Sequence, residues 1–276
     1  MTPRTILCPI DFSPGSRYAL RVAIRIANES GAPLMLVHAW SVPISTAGQP
    51  GTSTQALVDD AQRGLTDALS DVKRAGVDRV TSKLVSGPPA ERVASLATPR
   101  DLIVMGTHGR TGISRVLLGS VAERVVRHAP CSVMVVREQT DPKPYRHILI
   151  PVDFSEASRR ALDEAGDLAT RSGAKVTLLH ALERVSVSSL HAADEGATSL
   201  LDDWADLVEQ RTQTQVTRLL RTGTASQVVL AVAVEDPSID LIVVGSRGRT
   251  GLTRLLIGSV AERIVRHADR AVLIAR

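Results

Sequence analysis

With 276 residues, of which 43% are hydrophobic and 22% charged, the chain has the composition of a globular protein and the length for one or two domains. Its formal charge of +4 is unevenly held: residues 1–138 carry 16 Lys/Arg against 11 Asp/Glu, and residues 139–276 carry 17 against 18. No apolar run approaches 18 residues, the six aromatics are not interleaved with a basic tract, and Asp11 interrupts the opening MTPRTILCPIDFS too soon for a secretion signal, so neither a membrane nor a nucleic acid is expected as partner and the expected location is cytoplasmic.

In chain order the first half alternates strand and helix: strand Thr5–Ile10, helix Pro14–Glu29, strand Pro33–His38, helix Thr54–Arg74, strand Arg79–Val85, helix Pro88–Ala97, strand Asp101–Met105, helix Ser120–His128 and strand Ser132–Val136. The second half repeats the order from His147 to Ala275. Alternation at this spacing predicts parallel strands joined by right-handed helical crossovers, hence an α/β fold of two tandem doubly wound five-stranded sheets. The expected domains are 1–138 and 147–276, with the polar, proline-bearing QTDPKPYR of residues 139–146 as linker. The halves match at an offset of 142 near their starts and 139 near their ends; the divergent middle, Ser41–Ser53 against Glu183–Glu195, reads as a surface loop after the second strand.

One signature occurs twice: Gly106, Gly109 and Gly119-Ser120 recur as Gly245, Gly248 and Gly258-Ser259, and 16 of 23 positions between Gly106–His128 and Gly245–His267 are identical. Each copy lies where an apolar strand hands over to a helix. Gly106 and Gly109 are expected to take positive φ and admit a ligand to the backbone, while the Gly-Ser step opens a helix whose first N–H groups lack partners. A phosphate fits such an end, helped by the helix dipole, the Ser hydroxyl and the arginines Arg110, Arg115, Arg249 and Arg254. Ordinary turn glycines with a helix cap would explain one copy; two near-identical copies ask for more.

Asp11 and Asp153 end the first strands. In doubly wound sheets ligands bind beyond the carboxyl ends of strands where the winding reverses. A carboxylate there repels phosphate, so it suits the nucleoside end of a nucleotide, accepting from an adenine amino group or a ribose hydroxyl. Capping of the next helix is the competing role, for which Ser13 and Ser155 are already suited.

Other chemistry is missing. No Gly-x-x-x-x-Gly-Lys, Gly-x-Gly-x-x-Gly or Gly-x-Ser-x-Gly occurs, and the seven histidines show no zinc spacing. Cys8 and Cys131, on strands separated by another, are too far apart for a disulfide.

Together, Pro9-Ile10-Asp11-Phe12-Ser13 and Pro151-Val152-Asp153-Phe154-Ser155, Val37-His38-Ala39 and Leu179-His180-Ala181, and the two glycine signatures resemble the universal stress protein family in its tandem form. The resemblance covers nearly the whole chain and implies a Rossmann-like, adenine nucleotide alpha hydrolase-like fold on the ATP-binding side of the family. It places a nucleotide on Pro9, Ile10, Asp11, Ala39, Met105, Gly106, His108, Gly109, Arg110, Gly119, Ser120 and Val121. In the second half the matching set is Pro151, Val152, Asp153, Ala181, Val244, Gly245, Arg247, Gly248, Arg249, Gly258, Ser259 and Val260. His108 against Arg247 sets a switchable group against a fixed cation. The implied cofactor is ATP, with any Mg or Mn held through its phosphates. The implied assembly is an internal pseudo-dimer through the last strands, Ser132–Val136 and Ala271–Ala275, with a further homodimer as an option. The expected function is a regulatory ATP-binding module in the stress response; the alternative is a slow ATPase or a phosphoryl or adenylyl transferase using the same sites. No P-loop lysine or recognisable base favours turnover, so no catalytic residue and no protein-bound metal are assigned.

Overall fold

A computed structural model describes residues 2–40, 54–107, 118–138, 142–182, 190–248 and 257–276. The chain divides into two compact units, Thr2–Pro142 and Lys143–Arg276.

The first unit runs β1 (Ile6–Pro9), α1 (Pro14–Ser30), β2 (Leu34–Trp40), α2 (Thr54–Arg74), β3 (Val80–Ser86), α3 (Pro89–Leu96), β4 (Leu102–Gly106), α4 (Ser120–His128) and β5 (Ser132–Val136). Its strands pair in parallel in the order β3-β2-β1-β4-β5. Winding proceeds outward from β1 to β3, then returns to the other side of β1. The carboxyl ends of β1 and β4, aligned with Ile6 opposite Leu102 and Leu7 opposite Ile103, therefore flank the switch point. β5 (SVMVV) is buried throughout and β1 and β4 nearly so, as parallel strands covered on both faces require.

Local signals set the helices. Ser13 caps α1 by accepting from the Ser16 N–H at 3.3 Å, Pro14 supplies the first turn, and Gly31 ends the helix at φ 67°. Ser155 and Gly173 do the same for α5. Helix α1 packs on β1 and β4, α2 on β2 and β3, and α3 and α4 pack on each other. Right-handed crossovers put the first pair on one face of the sheet and the second pair on the other.

The second unit runs β6 (His147–Pro151), α5 (Glu156–Ser172), β7 (Lys175–Leu182), α6 (Leu190–Thr212), β8 (Val216–Thr222), α7 (Ala225–Glu235), β9 (Leu241–Gly245), α8 (Ser259–His267) and β10 (Ala271–Ala275). Its parallel order is β8-β7-β6-β9-β10. The fold is the expected one, two doubly wound five-stranded sheets sandwiched by helices. One expectation needs correction: Leu190–Glu195 opens α6 rather than completing a loop, because Leu, Ala and Glu favour helix. Residues 41–53 and 183–189 lie outside the described residues. Cys8, on β1, and Cys131, just ahead of β5, are buried and form no disulfide, with β4 between the two strands, and burial pushes the Cys8 thiol up to about 12. Among the described residues no helix is long and apolar enough to cross a membrane.

Candidate functional site

The turn leaving β1 is built from hydrogen bonds and one strained residue. Asp11 Oδ1 accepts from the Ser13 N–H at 3.1 Å and the Ser13 hydroxyl at 2.5 Å, and the Ser16 hydroxyl donates to the Ser13 carbonyl at 3.0 Å. Ser13, not Asp11, is thus the helix cap; Asp11 holds the cap in place through an Asx-type turn. Between them Phe12 sits at φ 64°, a left-handed conformation unusual for a bulky side chain. Its ring stacks on His38 with centroids 4.8 Å apart. The His38 Nδ1–H donates to the Ile10 carbonyl at 2.6 Å. The second unit repeats most of these parts: Phe154 is at φ 62° and 4.7 Å from His180, His180 Nδ1–H donates to the Val152 carbonyl at 2.7 Å, and Asp153 Oδ1 accepts from the Ser155 N–H at 3.1 Å, while the Ser155 hydroxyl turns to Ser158 Oγ at 3.5 Å.

At the end of β4 the glycines act differently from expectation. Gly106 is not in the left-handed region; a Cβ there would lie 2.8 Å from the Gly15 carbonyl oxygen. Gly245 likewise has no positive φ, and its Cβ would lie 2.6 Å from the Ala157 carbonyl oxygen. Both are glycine because the first turn of α1 or α5 touches the strand end. That contact brings the helix start, with Asp11 or Asp153 ahead of it, close to the β4 or β9 terminus. Gly119 caps α4 at φ −64° and donates its N–H to the Thr107 carbonyl at 2.7 Å. Gly258 does so to the Ser246 carbonyl at 2.8 Å. The first intrahelical bond runs from Glu123 N–H to the Gly119 carbonyl. This leaves the N–H groups of Ser120, Val121 and Ala122 without a hydrogen-bond partner among the described residues, pointing along the axis as an anion site.

In the first unit these parts enclose a cavity of about 250 Å³. Nine predicted residues line it: Pro9, Ile10 and Asp11 from β1 and its turn, Ala39 from β2, Met105 and Gly106 from β4, and Gly119, Ser120 and Val121 from the start of α4. Ser16, Val37, Pro89, Val93, Thr107 and Ala122 also line it and escaped the sequence reading. Val37 opens the Val37-His38-Ala39 mark without having been assigned to the site, and Pro89 with Val93 is an i,i+4 pair on one face of α3. His108, Gly109, Arg110 and Arg115 lie outside the described residues.

In the second unit Pro151, Val152 and Asp153 end β6 or follow it, Ala181 lies near the end of β7, and Val244 and Gly245 end β9. Gly258 caps α8, whose first residues are Ser259 and Val260. Arg247 and Gly248 follow β9, and a Cβ on Gly248 would lie 2.9 Å from Asp153 Oδ2. The glycine segment and the strand-end carboxylate predicted to share a site therefore do touch here. Arg249 and Arg254 lie outside the described residues.

A sequence model of the universal stress protein family matches residues 2–137 and 144–276. The chain belongs to the universal stress protein family. Its function is accordingly one in the stress response. Among curated family members, universal stress protein Rv2623 of Mycobacterium tuberculosis is 32% identical, with 98% of this chain and 96% of that protein aligned. Universal stress protein Rv2005c of the same organism is 30% identical over 88% of this chain and 87% of its own. A crystal structure of a universal stress protein from Archaeoglobus fulgidus superposes with a TM-score of 0.77 over 100% of this chain and 99% of that one, at 19% identity, a likeness of fold.

Proposed function

We propose that the protein is a regulatory module that binds one adenine nucleotide, ATP, in each unit. The observation that carries this reading is the first-unit cavity, which joins a strand-end carboxylate, Asp11, to the unpartnered amides of Ser120, Val121 and Ala122. Its apolar walls, from Val37, Ala39, Val93 and Met105, suit a purine, Asp11 suits the nucleoside hydroxyls or amino group, and the helix start suits phosphate. The residues present fit the ligand. Mg²⁺ or Mn²⁺ would be carried by the phosphates, since no group of three His, Cys, Asp or Glu side chains gathers among the described residues. ATP is a cytoplasmic metabolite, so the proposed location is the cytoplasm. The pseudo-dimer, a further homodimer and the 139–146 linker belong to the same proposal, to be read by scattering with and without ATP and by limited proteolysis.

Titration calorimetry tests the reading. Two ATP per chain are expected, and saturation well below two would remove a site. Turnover is expected below about 1 per second, beneath the usual enzyme range. Amides and a hydroxyl hold charge alike in ground and transition states, and uniform binding of that kind does not accelerate chemistry. Faster hydrolysis lost on Ser120→Ala with Ser259→Ala would make the protein an ATPase instead.

A further inference from the structure

Helix α7 (ASQVVLAVAVE) is the one described helix with no charged residue before its last position. Ser226, Val229, Val232 and Ala233 form its buried side. Gln227, Ala231 and Val234, at i, i+4 and i+7, are exposed along the opposite side, and Leu230 beside them is partly buried. Val234 is 68% exposed, more than any other large apolar side chain among the described residues.

The first unit is built otherwise. Gly87 and Gly223 each lie against the side chain five residues on, Arg92 and Val228, so α3 and α7 align at an offset of 136. Exposed Glu91, Arg92 and Ser95 of α3 then correspond to Gln227, Val228 and Ala231 of α7. One helix turns a charged face to solvent and its counterpart an apolar one, as an interaction surface requires.

Charge says what covers this face. Arg218 of β8 pairs with Asp202, Asp206 and Glu209 of α6. Side chains alternate across a strand, so Arg221 stands on the other face of the sheet, the α7 side, near the amino end of that helix. Glu235 stands at its carboxyl end, where a carboxylate opposes the helix dipole; α4 and α8 end in Arg-His instead. Arg221 and Glu235 are both exposed, and neither side chain has a partner among the described residues. The 11 residues of α7 span about 16 Å. A cation at one end, an anion at the other and an apolar stripe between them make a surface complementary to itself under a twofold axis.

We propose that this face joins two copies of the chain, α7 packing antiparallel on α7 about an axis near Leu230 and Ala231. Each Glu235 then meets the Arg221 of the other copy, Val234 packs beside the other copy's Leu230, and the small Ala231 lets the helices approach closely. The surface gives the further homodimer named above a definite place. It is independent of nucleotide, since none of its residues is assigned to ATP.

Sedimentation velocity of the full chain without nucleotide, from about 1 to 200 µM, tests the proposal. One helix and its flanks form a small interface, so a mass rising from 29.5 kDa toward twice that value is expected, with a dissociation constant of about 10 µM. Val234→Lys should leave the chain monomeric throughout, with the urea midpoint reported by Trp204 unchanged because the position is exposed. Arg221→Glu and Glu235→Arg should each weaken association about tenfold by setting like charges together, and the two combined should restore it to within about threefold. A chain that stays at 29.5 kDa at the highest concentration would overturn the proposal and leave the face to a different protein. So would a dimer that withstands Val234→Lys, or a double charge exchange as weak as the single ones.

Discussion

The two units share a backbone plan and differ in what stands beside it. Both open with a strained phenylalanine set against a histidine that donates to the strand-end carbonyl. Both press a helix start onto a glycine at the end of the fourth strand. Yet α2 sets Gly64 against Phe12, where α6 sets Trp204 against Phe154. At the opposite end of the sheet, His147 occupies the second unit at the place where Thr5 precedes β1 in the first. The frame around the strand ends is thus held constant, while helix faces and the strand starts are free to diverge. The difference teaches which residues shape the site and which only border it.

The largest expected effect tests the constant part. Gly245→Ala and Gly106→Ala each force a methyl group into the backbone of the first helix of the same unit, and overpacking of this kind costs roughly 1–3 kcal/mol. Gly245→Ala should be the worse, since its gap is 2.6 Å against 2.8 Å. Urea unfolding resolves the units, because Trp40 reports the first and Trp204 the second. Unchanged midpoints would show that these glycines serve something other than close approach.

Next in size are the carboxylates. Asp11→Ala and Asp153→Ala should weaken ATP and ADP alike by about ten- to a hundredfold at their own site, from loss of a hydrogen bond to a charged acceptor of roughly 1.5–3 kcal/mol. Because Asp11 also holds Ser13, a loss of about 1 kcal/mol in stability should accompany the change. An Asp11→Ala protein that melts early but binds ATP normally would confine the residue to its turn.

The smallest effect distinguishes the strand starts. His147 is buried with its ring nitrogens 2.8 Å from the Ser238 and Thr177 hydroxyls. Burial holds its pKa below the ordinary 6.5, against the opposing pull of Asp236 and Asp240 and with a little help from Lys175. A histidine with a depressed pKa favours the folded state above its unfolded value and loses that contribution as pH falls through the folded one. The second unit's stability should therefore decline below about pH 6.5, and His147→Thr, which installs the first unit's residue, should flatten that decline. A decline that survives the substitution would assign it elsewhere.

Much of this arrangement was legible before any coordinates. Apolar strands buried on both faces alternate with amphipathic helices, and that periodicity is local, so the sheets, the strand-end positions of Asp11 and Ala39 and the helix-start position of Gly119 followed from it. What escaped arises from packing between distant segments. Val93 and Pro89 reach the cavity from α3, which no spacing relative to the glycine signature reveals. Gly106 was assigned the right position and the wrong reason: its lack of a side chain serves a neighbouring helix rather than φ. Phe12 carried no signal of its left-handed backbone, which Asn or Gly would have announced.

That phenylalanine matters to anyone who would reuse one unit as a scaffold. A left-handed bulky residue costs roughly 1–2 kcal/mol relative to glycine, and sequence redesign aimed at local preference would remove it. Phe12→Gly would relax the backbone and discard the ring that lies between His38 and Gly64. Phe12, His38 and Gly64 are accordingly one transferable part in three distant pieces of chain. In the second unit the same part is Phe154, His180 and Trp204, and grafting Gly64 into the one or Trp204 into the other would mix two incompatible fits.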